Sequence, residues 1–558
     1  MKISIIDTCL WGKTCALSFK YDPDIIKKIK DTFSPRCFYD ANTKQWLIPY
    51  EHYDKAREVF ADELSIQELG NIHLDTLNQN VVLGELPEGF DFKVKPYAHQ
   101  VDAVKYGVLR DKWFLGDEMG LGKTFEALNI ALTKPIKRCF IICGVNGLKY
   151  NWYEEVFKYT NKKPYILGQR MTRNGKMRIG LIDERCADLD NIDNNDAFFY
   201  ITNVESLRNA EFAYKLAKIC TCDMVIVDEA HKCTNSQSLQ GKGLLSLNPK
   251  YALMMSGTPL MNKATDLFLI LKWLGKEHRN FWEFKNHYVL TKLTELKNGN
   301  KFWQEIGYKN LDELQERFGS IMLRRRKDDV LDLPEKIFVN EYVEMSKEQE
   351  NLYEKMKENV ISDIDNITSG NALTRLISMR QATSCPNYLE EGVPCAKLDR
   401  MEELVEEALA NDKQVIVFSN WTTVTDEIKT RLKKYKPMFI TGKENIEKRK
   451  EAEDSFQSGK TKVIVGTIGA MGVGITLTSG TVEIFVDEPW TMADKNQAID
   501  REHRISQTKS IIIYTLLTKN TIDEEIHKLL EEKDDLSKAL IDSNAIKMLV
   551  GNDISDLI

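Results

Sequence analysis

The sequence predicts an α/β protein with two parallel-sheet lobes and helical insertions, preceded by a small α+β module. Short apolar runs alternate with helix-like stretches from about residue 91, and a second series of this kind begins near residue 415. Strands that alternate with helices form βαβ units around a parallel sheet. The first 60 residues differ, because they combine two short apolar stretches with one helical stretch near residues 24–32.

The apolar runs that we expect to form strands fall into two groups. In the first lobe they are Cys139–Cys143, Phe198–Thr202, Met224–Val227 and Ala252–Met255. In the second lobe they are Val415–Ser419, Met438–Thr441, Val463–Val465, Val482–Val486 and Ile511–Leu517, with helices at about 422–435 and 445–457. Residues 261–395, between the two groups, are mostly charged and amphipathic without a strand series. They are too long for a loop, so we predict a helical insertion there.

These patterns divide the chain into five parts. The acidic stretch 61–90 contains Gly84, Pro87 and Gly89 and is typical of a linker. The predicted parts are an N-terminal module with its linker at 1–88, a first lobe with a helical insertion at 89–335, a helical linker region at 336–395, a second lobe at 396–540 and a C-terminal tail at 541–558.

Composition excludes several classes of protein. The 558 residues have a net charge of −7, which argues against a histone-like polycation but is compatible with a local basic groove. No apolar run approaches the roughly 18 residues that span a bilayer, and the first residues lack the apolar region and cleavage site of a signal peptide. We therefore expect an intracellular protein that does not contact membranes. Eleven scattered cysteines predict reduced thiols rather than a disulfide framework.

A glycine-rich loop is the strongest local signal. It follows the apolar Trp113–Leu115 and precedes the helical run Phe125–Leu132, which is the strand–loop–helix context of a phosphate-binding loop. The basic Lys123 would neutralise the β- and γ-phosphates, and the Thr124 hydroxyl would ligate Mg²⁺. ATP and Mg²⁺ are therefore the predicted cofactors. The loop residues are Asp117, Glu118, Met119, Gly120, Leu121, Gly122, Lys123 and Thr124, with Asp117 where the strict motif has glycine.

A second signal is the sequence Asp-Glu-Ala-His that begins at Asp228, directly after the strand Met224–Val227. In a phosphate-loop ATPase, Asp228 would hold Mg²⁺ and Glu229 would orient and deprotonate the attacking water. The alternative is a strand end with a solvated acidic turn, which the phosphate loop about a hundred residues upstream disfavours.

The third signal lies in the second lobe, in the segment Gln497–Gln507. Arg501 and Arg504 are three residues apart and share a face if the segment is helical. Two guanidinium groups that face a nucleotide would act as arginine fingers on the transferred phosphate. On its own, the segment is more typical of an exposed helix with salt bridges.

In this order, the three motifs resemble those of the Swi/Snf-type ATPases of helicase superfamily 2. Further segments extend the resemblance over about residues 91–535, although Gly144 stands where this family usually has proline. The segments are Lys95–Gln100, Ile141–Trp152, Ile201–Leu207, Ser256–Leu260, Leu323–Lys336, Met379–Pro386, Val417–Ser419, Thr467–Leu477 and Thr521–Glu524.

The resemblance implies two RecA-like lobes and adds residues to the predicted sites. Gln100 would read adenine with Tyr97 packed nearby, and Gly474 would join the nucleotide site. The residues implied to couple the nucleotide state to lobe movement are Ser256, Thr258 and Gln497. The residues implied to contact DNA are Trp46, Trp152, Thr202, Asn203, Ser419 and Thr467.

The N-terminal module resembles a domain found in one branch of this family. Phe19, Tyr21, Ile26–Lys30, Tyr39 and Thr43–Pro49 resemble the HepA-related (HARP-type) substrate-recognition domain of annealing helicases. The alternative is a small accessory domain of unrelated purpose, in which Trp46 is a core residue.

The family resemblance implies an ATP-driven translocase on double-stranded DNA. With a HARP-type module it would act on forked or branched DNA, by strand annealing, branch migration or fork remodelling in replication and repair. We expect a monomer, with single-strand-binding or replication proteins as further partners. One alternative is the same motor displacing proteins, such as a stalled polymerase, from DNA. Another is a non-catalytic DNA-binding adaptor, which the intact Lys123, Asp228, Glu229, Arg501 and Arg504 disfavour.

Overall fold

The computed structural model divides the chain into two compact units. One comprises the residues up to Asp117 together with Lys123–Arg324, and the other comprises Glu118–Gly122 and the residues from Arg325 onward. The division thus falls near Arg324, ahead of the predicted first-lobe end at residue 335. The structure describes residues 2–8, 12–19, 22–40, 44–60, 81–144, 148–172, 177–257, 263–295, 301–331, 333–361, 369–471, 475–504 and 507–533.

The first 60 residues form an α+β module in the first unit, as the sequence predicts. Its four strands form an antiparallel sheet in the order β1-β2-β4-β3. The first helix begins where the Asp22 carboxylate accepts the backbone N–H groups of Asp24 and Ile25. The elements are β1 (Lys2–Thr8), β2 (Gly12–Ser18), α1 (Pro23–Phe33), β3 (Phe38–Asp40), β4 (Gln45–Pro49) and α2 (Tyr53–Val59).

A seven-stranded parallel sheet forms the core of the rest of the first unit, in the order β15-β5-β12-β11-β6-β10-β7. Its predicted strands are confirmed to within a residue. The first elements are α3 (Ala98–Val108), β5 (Lys112–Leu115), α4 (Lys123–Leu132), β6 (Cys139–Cys143), α5 (Leu148–Tyr159), β7 (Pro164–Ile166), β8 (Gln169–Met171), β9 (Met177–Ile179), α6 (Ile182–Asp190), β10 (Phe199–Asn203), α7 (Ala210–Ile219), β11 (Met224–Val227), α8 (Leu239–Ser246) and β12 (Tyr251–Met255). They are followed by α9 (Asp266–Trp273), α10 (Phe281–Tyr288), β13 (Val289–Glu295), β14 (Lys301–Tyr308), α11 (Leu311–Gly319) and β15 (Met322–Leu323).

The central strands of this sheet are apolar along their whole length because both faces are covered. Every side chain of β6, β10, β11 and β12 is buried. In a parallel sheet the carboxyl ends of the strands meet at one edge. The segments that follow β5, β6, β11 and β12 therefore begin side by side, although they are far apart in the sequence.

A second parallel sheet forms the core of the second unit, in the order β16-β21-β20-β17-β19-β18. Its strands and the helices near 422–435 and 445–457 agree with the prediction. The elements are α12 (Lys327–Val330), β16 (Lys336–Val343), α13 (Lys347–Ile361), α14 (Ser369–Ser384), α15 (Pro386–Leu389), α16 (Ala396–Ala410), β17 (Val415–Ser419), α17 (Thr422–Arg431), β18 (Met438–Ile440), α18 (Ile446–Gln457), β19 (Val463–Thr467), α19 (Ile468–Met471), β20 (Val482–Phe485), α20 (Met492–Ile499), β21 (Ile511–Thr518) and α21 (Ile522–Lys533).

The expectation of a mostly helical stretch without a strand series over 261–395 is wrong at three places, one of which is the short strand β15, which pairs in parallel with β5. Strands β13 and β14 form an antiparallel hairpin within it. The predicted helical linker region of 336–395 begins with a strand, β16, which pairs in parallel with β21 at the edge of the second sheet. The errors at the hairpin and at β16 have one cause. These strands mix polar with apolar residues and are partly exposed, so they lack the continuous apolar run of a buried strand.

Two general expectations can be compared with the described residues. Ten cysteines lie there and all are free thiols, in agreement with the prediction. Within the same residues, the structure shows no helix that is both long and apolar enough to cross a membrane.

Two carboxyl groups are buried in the core of the second unit. Glu483 on β20 and Glu502, which follows α20, are both fully buried, and neither side chain has a hydrogen-bond partner among the described residues. Burial raises the pKa of each, and Asp500 and Glu483, respectively, raise it further. Because the unfolded chain ionises both groups at lower pH than the folded chain does, the contribution of these two groups to the free energy of unfolding falls as the pH rises above about 4.3.

We expect Glu502→Gln to stabilise the protein at pH 8, because the amide removes a buried acid that must stay protonated in the folded state. At pH 4.5 the gain should be close to zero, and at pH 8 it should be on the order of 1–3 kcal/mol. Thermal and urea unfolding at the two pH values measure this difference. Glu451→Gln, at an exposed position on α18, is the matched control. Equal effects of the Glu502 substitution at both pH values would contradict the assignment.

Candidate active site

The predicted phosphate loop connects β5 to α4 at the carboxyl edge of the first sheet. Gly120 and Gly122 have φ values of +86° and +90°, a backbone conformation that favours glycine. Helix α4 begins directly at Lys123. The N–H groups of its first turn therefore lie next to the loop, as anion binding at a helix N-terminus requires.

The side chain of Lys123 is held in place by the backbone of the loop. Its Nζ donates to the carbonyl oxygen of Asp117 at 2.8 Å. Burial lowers the pKa of Lys123, while the nearby carboxylates of Glu229, Asp117 and Asp228 oppose that shift. The side chain thus places a positive charge among acidic groups, where phosphate oxygens would be an additional partner.

Asp228 lies directly after β11 and is oriented by two hydrogen bonds. Its Oδ2 accepts the indole N–H of Trp152 at 2.9 Å, and its Oδ1 accepts the backbone N–H of Glu229 at 2.8 Å. Burial and the negative charge of Glu229 raise the pKa of Asp228. Trp152, predicted to contact DNA, is only 2% exposed, and its contact with DNA stays a prediction. Trp152 and Asp228 are far apart in the sequence, and no motif predicts this contact.

Glu229, which forms an acidic pair with Asp228, also links this pair to the segment after β12. Its backbone is left-handed, with φ +51°, an uncommon conformation for a residue other than glycine. His231 Nδ1 lies 3.3 Å from Glu229 Oε2 and 3.0 Å from the hydroxyl oxygen of Ser256. Ser256, predicted as a coupling residue, is therefore joined to Glu229 through one imidazole.

The surroundings of Gly144, directly after β6, account for glycine at a position where the family usually has proline. A Cβ at Gly144 would lie 2.6 Å from the Cβ of Glu229 and 2.9 Å from the carbonyl oxygen of Asp228. The absence of a side chain at this position therefore lets the strand end approach the acidic pair closely.

Thr124 and Asp228 fit a magnesium ion by their chemistry. They supply a hydroxyl and a carboxylate, which are oxygen ligands of the kind that Mg²⁺ prefers. Among the described residues, no group of three or more His, Cys, Asp or Glu side chains is placed to hold a metal. Mg²⁺ usually keeps several water ligands and binds proteins through one or two side chains together with phosphate oxygens. The raised pKa of Asp228 agrees with this, because a cation would offset the negative charge there.

Tyr97 and Gln100 lie together at the start of α3, which packs against α4. The Oε1 of Gln100 accepts the backbone N–H of Tyr97 at 3.1 Å, and the Gln100 side chain is buried. Tyr97 is 46% exposed and its ring stacks on that of His99. The structure thus brings the two predicted residues together and gives Gln100 a capping role in the helix.

The loop residues Glu118–Gly122 belong to the second unit, and Lys327 contacts them there. The Glu118 carboxylate accepts the backbone N–H of Lys327 at 2.8 Å. A Cβ at Gly120 would lie 3.1 Å from the Cε of Lys327 and 3.3 Å from the Cγ of Arg504. Close packing at this point therefore depends on the missing side chain as well as on the positive φ.

Lys327 is a residue that the sequence analysis missed. It is 4% exposed, and its Nζ binds the carboxylate of Asp500 and donates to the carbonyl oxygen of His503 at 2.9 Å. Burial lowers the pKa of Lys327 and Asp500 opposes that shift. In the sequence, Lys327 stands out only as part of the segment Leu323–Lys336, which resembles a segment of the family.

Arg501 and Arg504 lie in a turn rather than on a common helix face, because α20 ends at Ile499. The two side chains were expected to share a face only if the segment is helical, and Arg501 and Arg504 lie outside the helix. Arg501 is buried. Arg504 is half-buried, and its guanidinium donates to the carbonyl oxygen of Asp500 at 2.7 Å and to the hydroxyl of Thr476 at 3.2 Å.

The remaining residues predicted for nucleotide binding and coupling differ in their burial, and two of them are not described. Gln497 is half-buried on α20. Thr258 and Gly474 lie outside the described residues. Within the loop, Asp117 and Leu121 are fully buried and Met119 is 8% exposed.

The structure does not place the predicted DNA contacts on an exposed surface. Thr202 and Asn203 are buried at the end of β10, where Asn203 Oδ1 accepts from Arg185 at 3.0 Å. Ser419 is fully buried and donates to Asp487 at 2.6 Å. These side chains make hydrogen bonds at the strand ends, and the assignment of DNA contacts to them stays a prediction. Thr467 is 9% exposed. Trp46 is half-buried against the core of the N-terminal module.

The family of this chain follows from comparison with protein families. The model of the SNF2-related domain matches residues 99–388, which is more than half of the chain. The chain belongs to the SNF2-related family. A second model, the helicase conserved C-terminal domain, matches residues 396–506. These matches confirm the resemblance seen in the motifs.

Individual relatives are similar over most of this SNF2-related chain. An uncharacterized ATP-dependent helicase of Mycoplasma genitalium is 29% identical over 475 residues, which cover 81% of this chain and 43% of that protein. A DNA annealing helicase and endonuclease of Bos taurus is 25% identical over 479 residues, covering 83% and 42%. The solved SWI2/SNF2 ATPase core of Sulfolobus solfataricus in complex with double-stranded DNA aligns with a TM-score of 0.37 and 24% identity, covering 84% of this chain and 99% of that one. The chain spans about half the length of the first curated relatives it matches.

We expect Gly144→Ala to destabilise the protein by about 1–3 kcal/mol, because the added methyl group must displace Glu229 or the backbone of Asp228. Urea unfolding followed by circular dichroism measures the loss. Gly442→Ala is the matched control, since a Cβ there meets nothing within 4 Å and its φ is not in the left-handed region. A free energy of unfolding that is the same for both variants would show that the close approach has no energetic consequence.

Proposed function

We propose that this SNF2-related protein hydrolyses ATP to move along double-stranded DNA, and that it acts on forked or branched DNA. The observation that supports the motor most directly is the meeting of Lys123, Asp228 and Glu229 at one edge of the first sheet. Family membership supports ATP as the substrate.

The residues of the first unit divide the chemistry among them. The N–H groups at the start of α4 and the ammonium group of Lys123 bind the phosphates. Thr124 and Asp228 would hold Mg²⁺, which supplies charge neutralisation at the phosphates. Trp152 keeps the Asp228 carboxylate in one orientation with a neutral donor. Glu229 accepts the proton of the attacking water.

The contact between Glu229, His231 and Ser256 offers a route from hydrolysis to movement. A change in the charge or position of Glu229 alters the hydrogen bond that His231 makes with Ser256. Ser256 directly follows β12 and precedes the segment implied to move the lobes. We therefore assign Ser256 a coupling role, and we assign Arg501 and Arg504 the stabilisation of charge on the transferred phosphate.

Two observations favour branched DNA over plain duplex. The N-terminal module resembles a HARP-type substrate-recognition domain, and its sheet has the exposed aromatic side chains Phe38 and Tyr39 on the edge strand β3. One relative is named a DNA annealing helicase. Base stacking on aromatic side chains suits the unpaired strands that a fork presents.

Glu229→Gln should abolish turnover while ATP binding is retained, because the amide has the size of the carboxylate but cannot accept the proton of water. We expect kcat to fall by about 10²–10⁴-fold. Phosphate release measures kcat, and a fluorescent ATP analogue measures binding. Glu211→Gln, at an exposed position on α7, should behave as wild type. Normal hydrolysis by the Glu229 variant would show that another group is the base.

The steady-state ATPase rate tests the substrate. It is measured without DNA, with single-stranded DNA, with blunt duplex and with a model fork, at one fixed salt concentration because phosphate contacts depend on salt. We expect the fork to stimulate most. Deletion of residues 1–60 should lower the fork rate to the duplex rate, with thermal unfolding as the folding control.

The other outcomes of this measurement are equally informative. Equal stimulation by fork and duplex would exclude the branched-DNA role and favour displacement of proteins from duplex DNA. A wild-type chain whose ATPase rate is unchanged by every DNA would overturn the proposal of a DNA motor. A chain that binds DNA but never hydrolyses ATP would be an adaptor.

A further inference from the structure

Strand β16 forms one edge of the second sheet, and among the described residues it has a neighbouring strand, β21, on one side only. The two strands pair in an unbroken register over the eight residues Lys336–Val343, and β16 contains no proline. Natural proteins usually protect an edge strand by a short length, a bulge or a proline, because an unprotected edge pairs with other chains. The outer edge of β16 lacks these three forms of protection.

The even-numbered residues of β16 direct their backbone groups away from β21. The N–H of Ile511 on β21 donates to the carbonyl oxygen of Glu335, and the N–H of Lys519 donates to that of Val343. The odd-numbered residues therefore face β21. Successive residues of a pleated strand alternate in direction, so their neighbours face the other way. The outer edge is formed by the backbone groups of Lys336, Phe338, Asn340 and Tyr342.

Large aromatic side chains are exposed along this outer edge. Phe338 is 59% exposed and Tyr342 is 48% exposed. Because they are four residues apart on one strand, both lie on the face of the sheet that Asn340 shares. Asn340 is also exposed, and its amide nitrogen lies 2.9 Å from Nε2 of His527 on α21. The edge thus combines outward backbone groups with two apolar rings that another strand could cover.

The sequence of β16 is complementary to itself in one antiparallel register. When Asn340 of one copy lies opposite Asn340 of a second copy, Phe338 lies opposite Tyr342 on both sides of that central pair. All three positions have outward backbone groups, as hydrogen-bonded positions of an antiparallel pair require. Aromatic side chains directly opposite each other stabilise paired strands. Two such aromatic pairs therefore form from a single strand sequence.

Charge complementarity favours the same register. It places the exposed Lys336, at the start of β16, opposite Glu344, one residue beyond the end of β16, and does so twice. Glu344 is exposed and already binds Lys519 at 2.8 Å, so Lys336 adds a second cation beside one carboxylate. A shift of two residues in either direction separates both the aromatic pairs and the opposite charges. A shift of one residue brings backbone groups that face β21 to the outer edge, which excludes it.

We infer that β16 is a self-association surface, on which two copies of this chain pair antiparallel about a two-fold axis that passes between their Asn340 residues. The pairing joins two six-stranded sheets into one. It goes beyond the proposed function and differs from the monomer expected from the sequence. An edge of eight residues is a small interface, so we expect a weak dimer with a Kd on the order of 10 µM.

Sedimentation velocity of the full chain, at concentrations below and above this Kd, tests the dimer. We expect the dimer fraction to rise with concentration. The Tyr342→Lys variant loses both aromatic pairs, because each copy contributes one tyrosine, and its Kd should be about tenfold higher. Tyr388→Lys, at a 62% exposed tyrosine on α15, is the matched control and should associate as wild type.

Cross-linking tests the register. Hydrogen-bonded partners in an antiparallel pair have Cα atoms about 5.5 Å apart, which is within the span of a disulfide. With copper phenanthroline as the oxidant, the Asn340→Cys variant should form a disulfide-linked dimer. Lys336→Cys should not, because Glu344 is opposite that position. Both variants keep the native thiols, including the exposed Cys222, so cross-linking seen in the wild-type chain gives the background.

The contrary results are equally defined. A wild-type chain that sediments as a monomer at every concentration, together with no cross-link in the Asn340→Cys variant, would overturn the inference. A dimer that Tyr342→Lys and Tyr388→Lys affect equally would place the interface elsewhere and also overturn it. Equal cross-linking of both cysteine variants would overturn the register. Circular dichroism and thermal unfolding of each variant exclude misfolding as the cause of a loss.

Discussion

The parallel alignment of the seven-stranded sheet is the constraint on which the candidate site depends. Because β5, β6, β11 and β12 run in the same direction, the residues that follow them meet at one edge. Asp117, Gly144, Asp228 and Ser256 come from four separate parts of the chain, and each stands within two residues of a strand end. Any change that reversed or shifted one of these strands would separate the acidic pair from the phosphate loop.

Burial of charge determines the chemistry of that edge. Asp228 and Glu229 are neighbours in a poorly solvated place, and burial together with their repulsion raises the pKa of Asp228. Trp152 orients the Asp228 carboxylate with a neutral donor, so the negative charge stays available to a cation. Lys123 supplies one positive charge, and its bond to the Asp117 carbonyl oxygen limits where that charge can go. The site therefore combines fixed positions with an unbalanced charge, which is a condition for tight binding of a metal–phosphate complex.

How well each element could be predicted follows from how it is buried. Strands such as β6 and β11 are covered on both faces, so their sequences are continuous apolar runs that local inspection identifies. Strand β16 and the hairpin of β13 and β14 are partly exposed, and their mixed polar and apolar residues resemble amphipathic helix in a charged region. The same argument applies to side chains. Trp152 was assigned to DNA by resemblance, but its indole ring is buried in the first unit beside Asp228.

The sequence by itself determined the features that depend on near neighbours in the chain. These are the two parallel sheets, the glycine-rich loop before α4 and the acidic pair after β11, because apolar runs, glycine spacing and strand ends are all local. Only the tertiary structure decided which distant side chains meet. Trp152 and Asp228, His231 and Ser256, and Lys327 and Asp500 become partners only when separate elements pack together. Hydrogen bonds and ion pairs of this kind depend on distances and burial in the folded chain, and no spacing along the sequence specifies those.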